Sequence, residues 1–387
     1  MARVPIPPCP HRPPCPGCPR YGEPGLAPEA FARLGDLAAR AGLPPPRVVE
    51  GAPLGFRHRA RLMVRGRARA PKLGLFREGT HRVVDIPECR IHHPLVNEVA
   101  AAAKSAIRAT ATPPWSDVAG AGLVRALQVV VERASGRAQV VIVANDADPA
   151  SVRPLAEALA AALGARLQGL FWNGNTARTN VILGPDWRLL HGAGAVRETI
   201  GGADVFFPPG AFGQSHLDLA DALVARVHDW VPDGARIAEL YAGCGSIGLG
   251  LLGRASRVTF NEENVHALEG LALGIAARPG AERERANVAA GPAAKKLDAL
   301  DGADVVIVDP PRKGLDPELV DALCAAPPER LVYVSCGIES LRRDAARLGE
   351  AGGLRLAALE AFACFPYTEH AETVARFERD ASVFLLA

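Results

Sequence analysis

Polar and apolar residues change rhythm along the chain. Residues 29–41 carry a helical pattern, which the prolines at 44–46 break. Residues 56–86 alternate apolar and polar positions, the period of strands in a small sheet. The stretch "LVRALQVVVERASGRAQVVIVAND" predicts a hairpin, two β-rich runs turning at Ser135-Gly136. A helix over 150–163 and strands near 167–172 and 179–183 complete an α+β stretch. Beyond "FFPPGAFGQSH" helices alternate with short apolar runs that end in an acid or a glycine. That alternation predicts a parallel α/β sheet.

These changes of texture divide the 387 residues into 1–95, 96–203 and 204–387, in keeping with ~100–200 residues per domain. With 49% apolar and 22% charged residues, the chain has the material for sizeable cores. A net charge of +2 says little, but its distribution is uneven: residues 57–90 hold ten Lys or Arg against Glu78, Asp85 and Glu88. Arg57, Arg59 and Arg61 stand at period two, so a strand would place their guanidinium groups on one face. Two readings fit: a charged edge strand that resists aggregation, or a surface that tracks nucleic-acid phosphates, here without an aromatic stacking stripe. The N-terminus lacks the apolar core of a secretory signal, and no run of ~18 uncharged apolar residues offers a membrane span. A cytoplasmic protein without membrane association is expected.

In that compartment the cluster "CPHRPPCPGC", with Cys9, Cys15 and Cys18, favours a metal or iron–sulfur group over disulfides. Its prolines exclude helix and hold a stiff loop that presents thiolates. Further on, "RIAELYAGCGSIGLGLL" reads as a strand over 236–240, a turn with Gly243, Gly245 and Gly248, and then a helix whose N-terminus offers free N–H groups. After the next apolar run comes Glu262, placed either to bind the two hydroxyls of a ribose or to cap the following helix. The ligand is a dinucleotide or S-adenosylmethionine. "ADVVIVDPPRKGL" ends a buried strand in Asp309, Pro310, Pro311 and Arg312, at the sheet edge where open α/β folds bind ligands. "RLVYVSCGIESL" delivers Ser335 and Cys336 to that edge, Cys336 being a candidate nucleophile and Cys324 inert filler. "CFPYTEHAETVARF" adds Glu372, with Glu369 and His370 nearby.

The ordered set "FGQSH", "ELYAGCGSIGL", Glu262, "DPPRKGL", "YVSC" and "FPYTEHAETV" resembles the S-adenosylmethionine-dependent RNA uracil-C5 methyltransferases, which make 5-methyluridine. The resemblance covers nearly the whole chain. It implies an α/β fold: a C-terminal Rossmann-like methyltransferase domain with a mostly parallel seven-stranded sheet, after an N-terminal iron–sulfur segment and a smaller α+β RNA-binding region. It implies Cys336 as the nucleophile toward carbon 6, Glu372 as the base that removes the carbon-5 proton, and Gln214, Tyr241, Gly243, Gly245, Ser246, Glu262 and Asp309 around S-adenosylmethionine and the target base. Arg312 is a supporting cation or a plain salt-bridge partner. The rRNA-type members imply that Cys9, Cys15, Cys18 and Cys89 hold a [4Fe–4S] cluster; zinc is the competing occupant.

The substrate implied is RNA, with 23S rRNA ahead of tRNA; a tRNA enzyme or a non-catalytic iron–sulfur RNA-binding protein are the alternatives. With eight residues before Cys9, the small β-barrel module of many members is not expected. No obligate protein partner is indicated. The chain departs from the family pattern at Ser246, His216 and Gly337-Ile338, where asparagine, asparagine and Asn-Pro are usual.

Overall fold

Strands from residues 59 to 192 join into a single sheet. The computed structural model describes residues 6–380, and its contacts separate two units: 6–23, 52–198 and 208–210 form one, and 24–51, 199–207 and 211–380 the other. The first unit's seven strands lie in the order Val83–Asp85, Ala70–Phe76, Arg59–Arg67, Val124–Glu132, Arg137–Ala144, Leu167–Gly174, Asp186–Gly192. The stretches 1–95 and 96–203 therefore share this sheet. Alternation decides its faces: Ala60, Leu62 and Val64 pack into the core with Val99 and Ile107 of helix Pro94–Ala109 and Leu159 of helix Arg153–Leu163. Arg59, Arg61 and Arg65 alternate with them on the same strand.

One strand is not where the apolar pattern puts it. Residues 179–183 are irregular, and the edge strand is Asp186–Gly192. Side chains take the place of a ladder here. Asn175 Nδ2 donates to the carbonyls of Val181 and Ile182 at 2.8 and 2.9 Å, and Asn173 exchanges bonds with Gly184.

In the second unit the strands run Arg47–Val49, Leu354–Phe362, Glu372–Arg379, Arg330–Ser335, Val305–Val308, Arg236–Leu240, Arg257–Glu262, Ala286–Ala290. The sheet has eight strands among the described residues, not the expected seven, and it is mixed: Glu372–Arg379 runs antiparallel to both neighbours while the other pairs are parallel. The additional strand, Arg47–Val49, is three residues long, too short to show a period, and pairs with Glu360–Phe362 at the edge. The central strands are buried on both faces, as their unbroken apolar runs require. Helices Pro28–Arg40 and Ile338–Gly352 supply Leu34, Leu37, Leu341 and Leu348 to a core with Leu331, Tyr333 and Phe377.

The glycine-rich turn is not followed by an α-helix. Only a 3₁₀ segment, Gly248–Leu251, follows. Gly245, Gly248, Gly250 and Gly253 lie too densely for a stable helix, each adding backbone entropy that helix formation must remove. Among the described residues no helix is long and apolar enough to cross a membrane.

Candidate active site

Parallel strands bring their last residues to one edge of the sheet, so Leu240, Glu262, Val308 and Ser335 end together. The reversed strand contributes its first residue instead: Thr373 pairs with Ser335, which brings Glu372 beside Cys336. A cavity of about 530 Å³ opens at this edge, lined by Gln214, Tyr241, Gly243, Ser246, Glu262, Asp309, Cys336 and Glu372. Gly245, expected with them, is not in the lining. It sits at φ +80°, where a Cβ would lie 2.7 Å from Leu271 and 2.8 Å from Leu249, so its glycine serves the turn's packing.

Tyr241, the residue after the strand Arg236–Leu240, lies in the left-handed region at φ +58° and donates its hydroxyl to Asp316 Oδ2 at 3.1 Å. Burial and Asp316 push the phenol above its usual range. Glu262 does not cap the next helix; Asn264 does, accepting from the N–H groups of His266 and Ala267. The Glu262 carboxylate accepts the Gly243 N–H at 2.8 Å, and the N–H groups of Glu263 and Asn264 at 2.8 and 2.6 Å. It thereby fixes the turn while keeping lone pairs for a ligand.

The floor of the cavity is shielded from solvent and rich in carboxyl groups. Burial raises Asp309 to about 7. Burial first, and Asp309 second, raise Glu372 to about 8, against the Gln214 amide, which donates to its Oε1 at 3.4 Å. Sequence reasoning missed Glu239. It lines the cavity and is 2% exposed, its Oε2 has no hydrogen-bond partner among the described residues, and burial raises it to about 8, with Asp309 and Glu262 adding to the shift and the Gly248 N–H opposing it. An acid inside the apolar run "RIAEL" is the signal that marks it. Phe212, also missed, lines the same cavity and is 71% exposed, its signal being an aromatic residue in a proline- and glycine-rich loop. A buried carboxyl with one oxygen left unpaired suits a cationic ligand such as the ammonium or sulfonium of S-adenosylmethionine, and Glu262 suits its ribose hydroxyls.

Cys336 is half-buried, and burial, Glu372 and Asp309 all raise its thiol, whereas the charge and hydrogen bond of Arg312 lower it. The turn after it is close-packed: a Cβ on Gly337 would lie 2.5 Å from Ser340 Oγ and 2.9 Å from the Arg312 carbonyl, so a side chain there requires these neighbours to shift. The Gly337 N–H donates to Ser335 Oγ at 3.1 Å and Ser340 Oγ donates to the Gly337 carbonyl at 2.9 Å, so the departure at this position comes with a tied loop. Of the other two departures, Ser246 lines the cavity and His216 does not; His216 is buried, and a Cβ on Gly51 would meet its ring at 2.5 Å.

In the first unit Cys9, Cys15, Cys18 and Cys89 line one smaller cavity of about 120 Å³. None of the four is in a disulfide. The loop ends are tied: the Glu88 N–H donates to His11 Nε2 at 3.1 Å, and Asn97 Nδ2 donates to the Cys89 carbonyl at 3.1 Å. Burial, with the neighbouring thiols adding, pushes Cys18 up to about 12. A single zinc needs its sulfurs ~2.3 Å from one point, and among the described residues no three His, Cys, Asp or Glu side chains are grouped to hold a metal ion. The expected ligands thus share a cavity without forming a ready single-ion site. Nearby in sequence, Arg67, Arg69, Lys72, Arg77 and Arg82 are exposed.

Residues 295–380 match the tRNA (uracil-5-)-methyltransferase family. The chain is 33% identical over 379 residues to an uncharacterized RNA methyltransferase of Protochlamydia amoebophila, covering 96% of this chain and 97% of that protein. It is 31% identical over 357 residues to an uncharacterized RNA methyltransferase of Geobacter sulfurreducens, covering 89% and 69%. Among solved structures it is similar to the Pyrococcus abyssi tRNA (uracil-54, C5)-methyltransferase in complex with S-adenosyl-L-homocysteine, with 25% identity and a TM-score of 0.73 over 90% of this chain and 83% of that one.

Proposed function

The chain belongs to the S-adenosylmethionine-dependent RNA uracil-5-methyltransferase family, and from that premise we propose that it methylates carbon 5 of a uridine in RNA through a covalent adduct between Cys336 and carbon 6. The observation that supports this reading most is the reversed strand, which puts Glu372 beside Cys336 in the lining of a carboxyl-rich cavity. Carbon 5 of uracil is too weak a nucleophile to be alkylated directly. A thiolate added at carbon 6 makes it enolate-like. S-adenosylmethionine, when bound, supplies the electrophilic methyl group.

The chain's own residues divide the remaining work. Arg312 hydrogen-bonds the Cys336 sulfur and favours its thiolate. Gln214 orients Glu372, which takes the carbon-5 proton so that the Cys336–carbon 6 bond can break. Tyr241, Gly243, Ser246, Glu262 and Asp309 form the cofactor side, with Gly245 packing the turn behind them and Glu239 as the carboxyl that faces the cofactor's positive charge. Phe212, exposed at the opening, is the residue available to stack on a base flipped out of an RNA loop. Cys9, Cys15, Cys18 and Cys89 hold a [4Fe–4S] cluster that braces the RNA-binding unit and takes no part in methyl transfer. The resemblance favours rRNA, whereas the Pyrococcus abyssi relative acts on tRNA, so both RNAs enter the test.

That test offers the enzyme and S-adenosylmethionine rRNA and tRNA fragments carrying 5-fluorouridine. Fluorine cannot leave as a proton, so elimination stalls and a denaturation-resistant protein–RNA adduct is expected from the wild type and none from Cys336→Ala. An equal yield of adduct from the variant would remove Cys336 from the covalent step.

A further inference from the structure

The helix that starts just after Cys336 carries a buried charge. Asp344, in Ile338–Gly352, is 1% exposed, and a carboxylate so far from water is costly unless its oxygens are met. They are met from three directions. Oδ2 accepts the Tyr333 hydroxyl at 2.8 Å, from the strand that ends in Ser335, and the Leu315 N–H at 2.9 Å, from loop 309–316. Oδ1 accepts Arg343 Nε at 3.0 Å and Nη2 at 2.8 Å, and the same Nη2 donates to the Lys313 carbonyl at 2.7 Å. Between Lys313 and Leu315 the loop has Gly314 at φ +87°, where a Cβ would lie 2.5 Å from both Arg343 Nη2 and Asp344 Oδ2. The loop backbone therefore lies directly on the ion pair.

The other side of this loop faces the cavity, which Pro310, Pro311, Arg312, Lys313 and Asp316 help to line. It also meets the neighbouring turns. The Arg312 carbonyl abuts Gly337, where a Cβ would lie 2.9 Å from it, and Asp316 accepts the Tyr241 hydroxyl at 3.1 Å. Resting on the methyl-transfer reading above, we propose that Asp344, with Arg343, is a positioning residue that clamps loop 309–316 against the Cys336 turn and so holds Arg312 beside the nucleophilic sulfur. Apolar side chains would stabilise such a junction equally well. Directional bonds to a fixed carboxylate add one defined placement of the loop. Around Cys336, burial, Glu372 of the reversed strand and Asp309 at the start of the loop raise the thiol, and Arg312 lowers it. The ionisable groups around Asp344 are Arg343, Tyr333 and Tyr241. Removing the Asp344 charge by itself would ease ionisation of a nearby thiol, whereas letting Arg312 drift makes it harder, so the sign of the change separates the two.

The full-length protein is treated with iodoacetamide across a pH series, without RNA or S-adenosylmethionine, and alkylation of the peptide that contains Cys336 is followed by mass spectrometry. Asp344→Asn keeps the shape of the side chain and is expected to move the midpoint of Cys336 alkylation up by about one pH unit, a roughly tenfold smaller thiolate fraction at a given pH. Arg312→Gln is expected to move it by as much. Asp344→Asn in the Arg312→Gln background is then expected to add nothing, because one residue acts through the other. A folded Asp344→Asn whose midpoint is unmoved or lowered overturns the proposal, as does an equal further rise in the Arg312→Gln background. Circular dichroism and thermal melting report folding. Should Asp344→Asn not fold, Arg343→Gln takes its place in the same cycle with the same outcomes, its side chain being 55% exposed at the outer end of the clamp. Wild-type protein that gives no adduct with 5-fluorouridine RNA overturns the methyl-transfer reading, while the alkylation profiles still decide the clamp.

Discussion

Glu372 shows how burial prepares a residue for its task. Its proton is retained to about 8 because the cavity excludes water and Asp309 stands close by. As a base it works only when ionised, so release of methylated RNA from the adduct is expected to speed up as pH rises through about 8. Glu372→Gln keeps an oxygen for the Gln214 amide but cannot accept a proton. It is expected to slow release by about 100-fold or more, the usual weight of a general base, and to accumulate Cys336-linked RNA with ordinary uridine. Gel-resolved adduct and single-turnover rates across pH check this; turnover at the wild-type rate would take Glu372 out of the mechanism. The same group, if replaced, leaves addition by Cys336 possible, which is why adduct rather than free RNA is the diagnostic species.

Among the elements, the glycine-rich turn is the most tightly specified. Gly248 has no positive φ, so conformational freedom is not the reason for its glycine; space is. A Cβ there would lie 2.1 Å from Glu239 Oε2 and 2.6 Å from Phe260 Cε1. Gly248→Ala therefore drives the buried carboxyl away from its seat. The expected loss is about 1–3 kcal/mol of stability, in the range of overpacked cores. It should come with at least tenfold weaker S-adenosylmethionine binding by calorimetry, because Glu239 lines the cofactor side. Unchanged affinity with lowered stability would separate Glu239 from the ligand. The reversed strand Glu372–Arg379 is the second decisive element, since in a fully parallel sheet its first residue would lie at the opposite edge from Cys336.

For the molecule as a whole, the uneven distribution of charge matters more than its net value of +2. Arg67, Arg69, Lys72, Arg77 and Arg82 lie around the hairpin of Arg59–Arg67 and Ala70–Phe76 and are exposed. If they track RNA phosphates, taking away one cation lowers the salt slope of binding by about 0.7 for a single strand. Arg67→Ala with Arg69→Ala is expected to reduce that slope by roughly 1.4 while leaving S-adenosylmethionine binding in the other unit unchanged. Filter binding of RNA across a salt series measures it, and an unaltered slope would return these residues to the role of a solvated edge.

Much of this was legible without coordinates because it is local chemistry. The motif residues sit at strand ends, where an apolar run stops and a polar tip begins, and the alternation of the basic strand follows from a backbone period of two. The hairpin at Ser135-Gly136 is equally local, with Gly136 at φ +61°. What only the tertiary structure decided depends on segments distant in sequence. Reversal of one strand set Glu372 against Cys336, and Arg47–Val49 found its edge position through Glu360–Phe362. Glycine density cancelled the helix expected after the turn, and side-chain bonds from Asn173 and Asn175 moved the edge strand to 186–192. Glu239 gained its meaning from burial, a property that a linear pattern carries only indirectly, because desolvation is created by neighbours that the fold supplies.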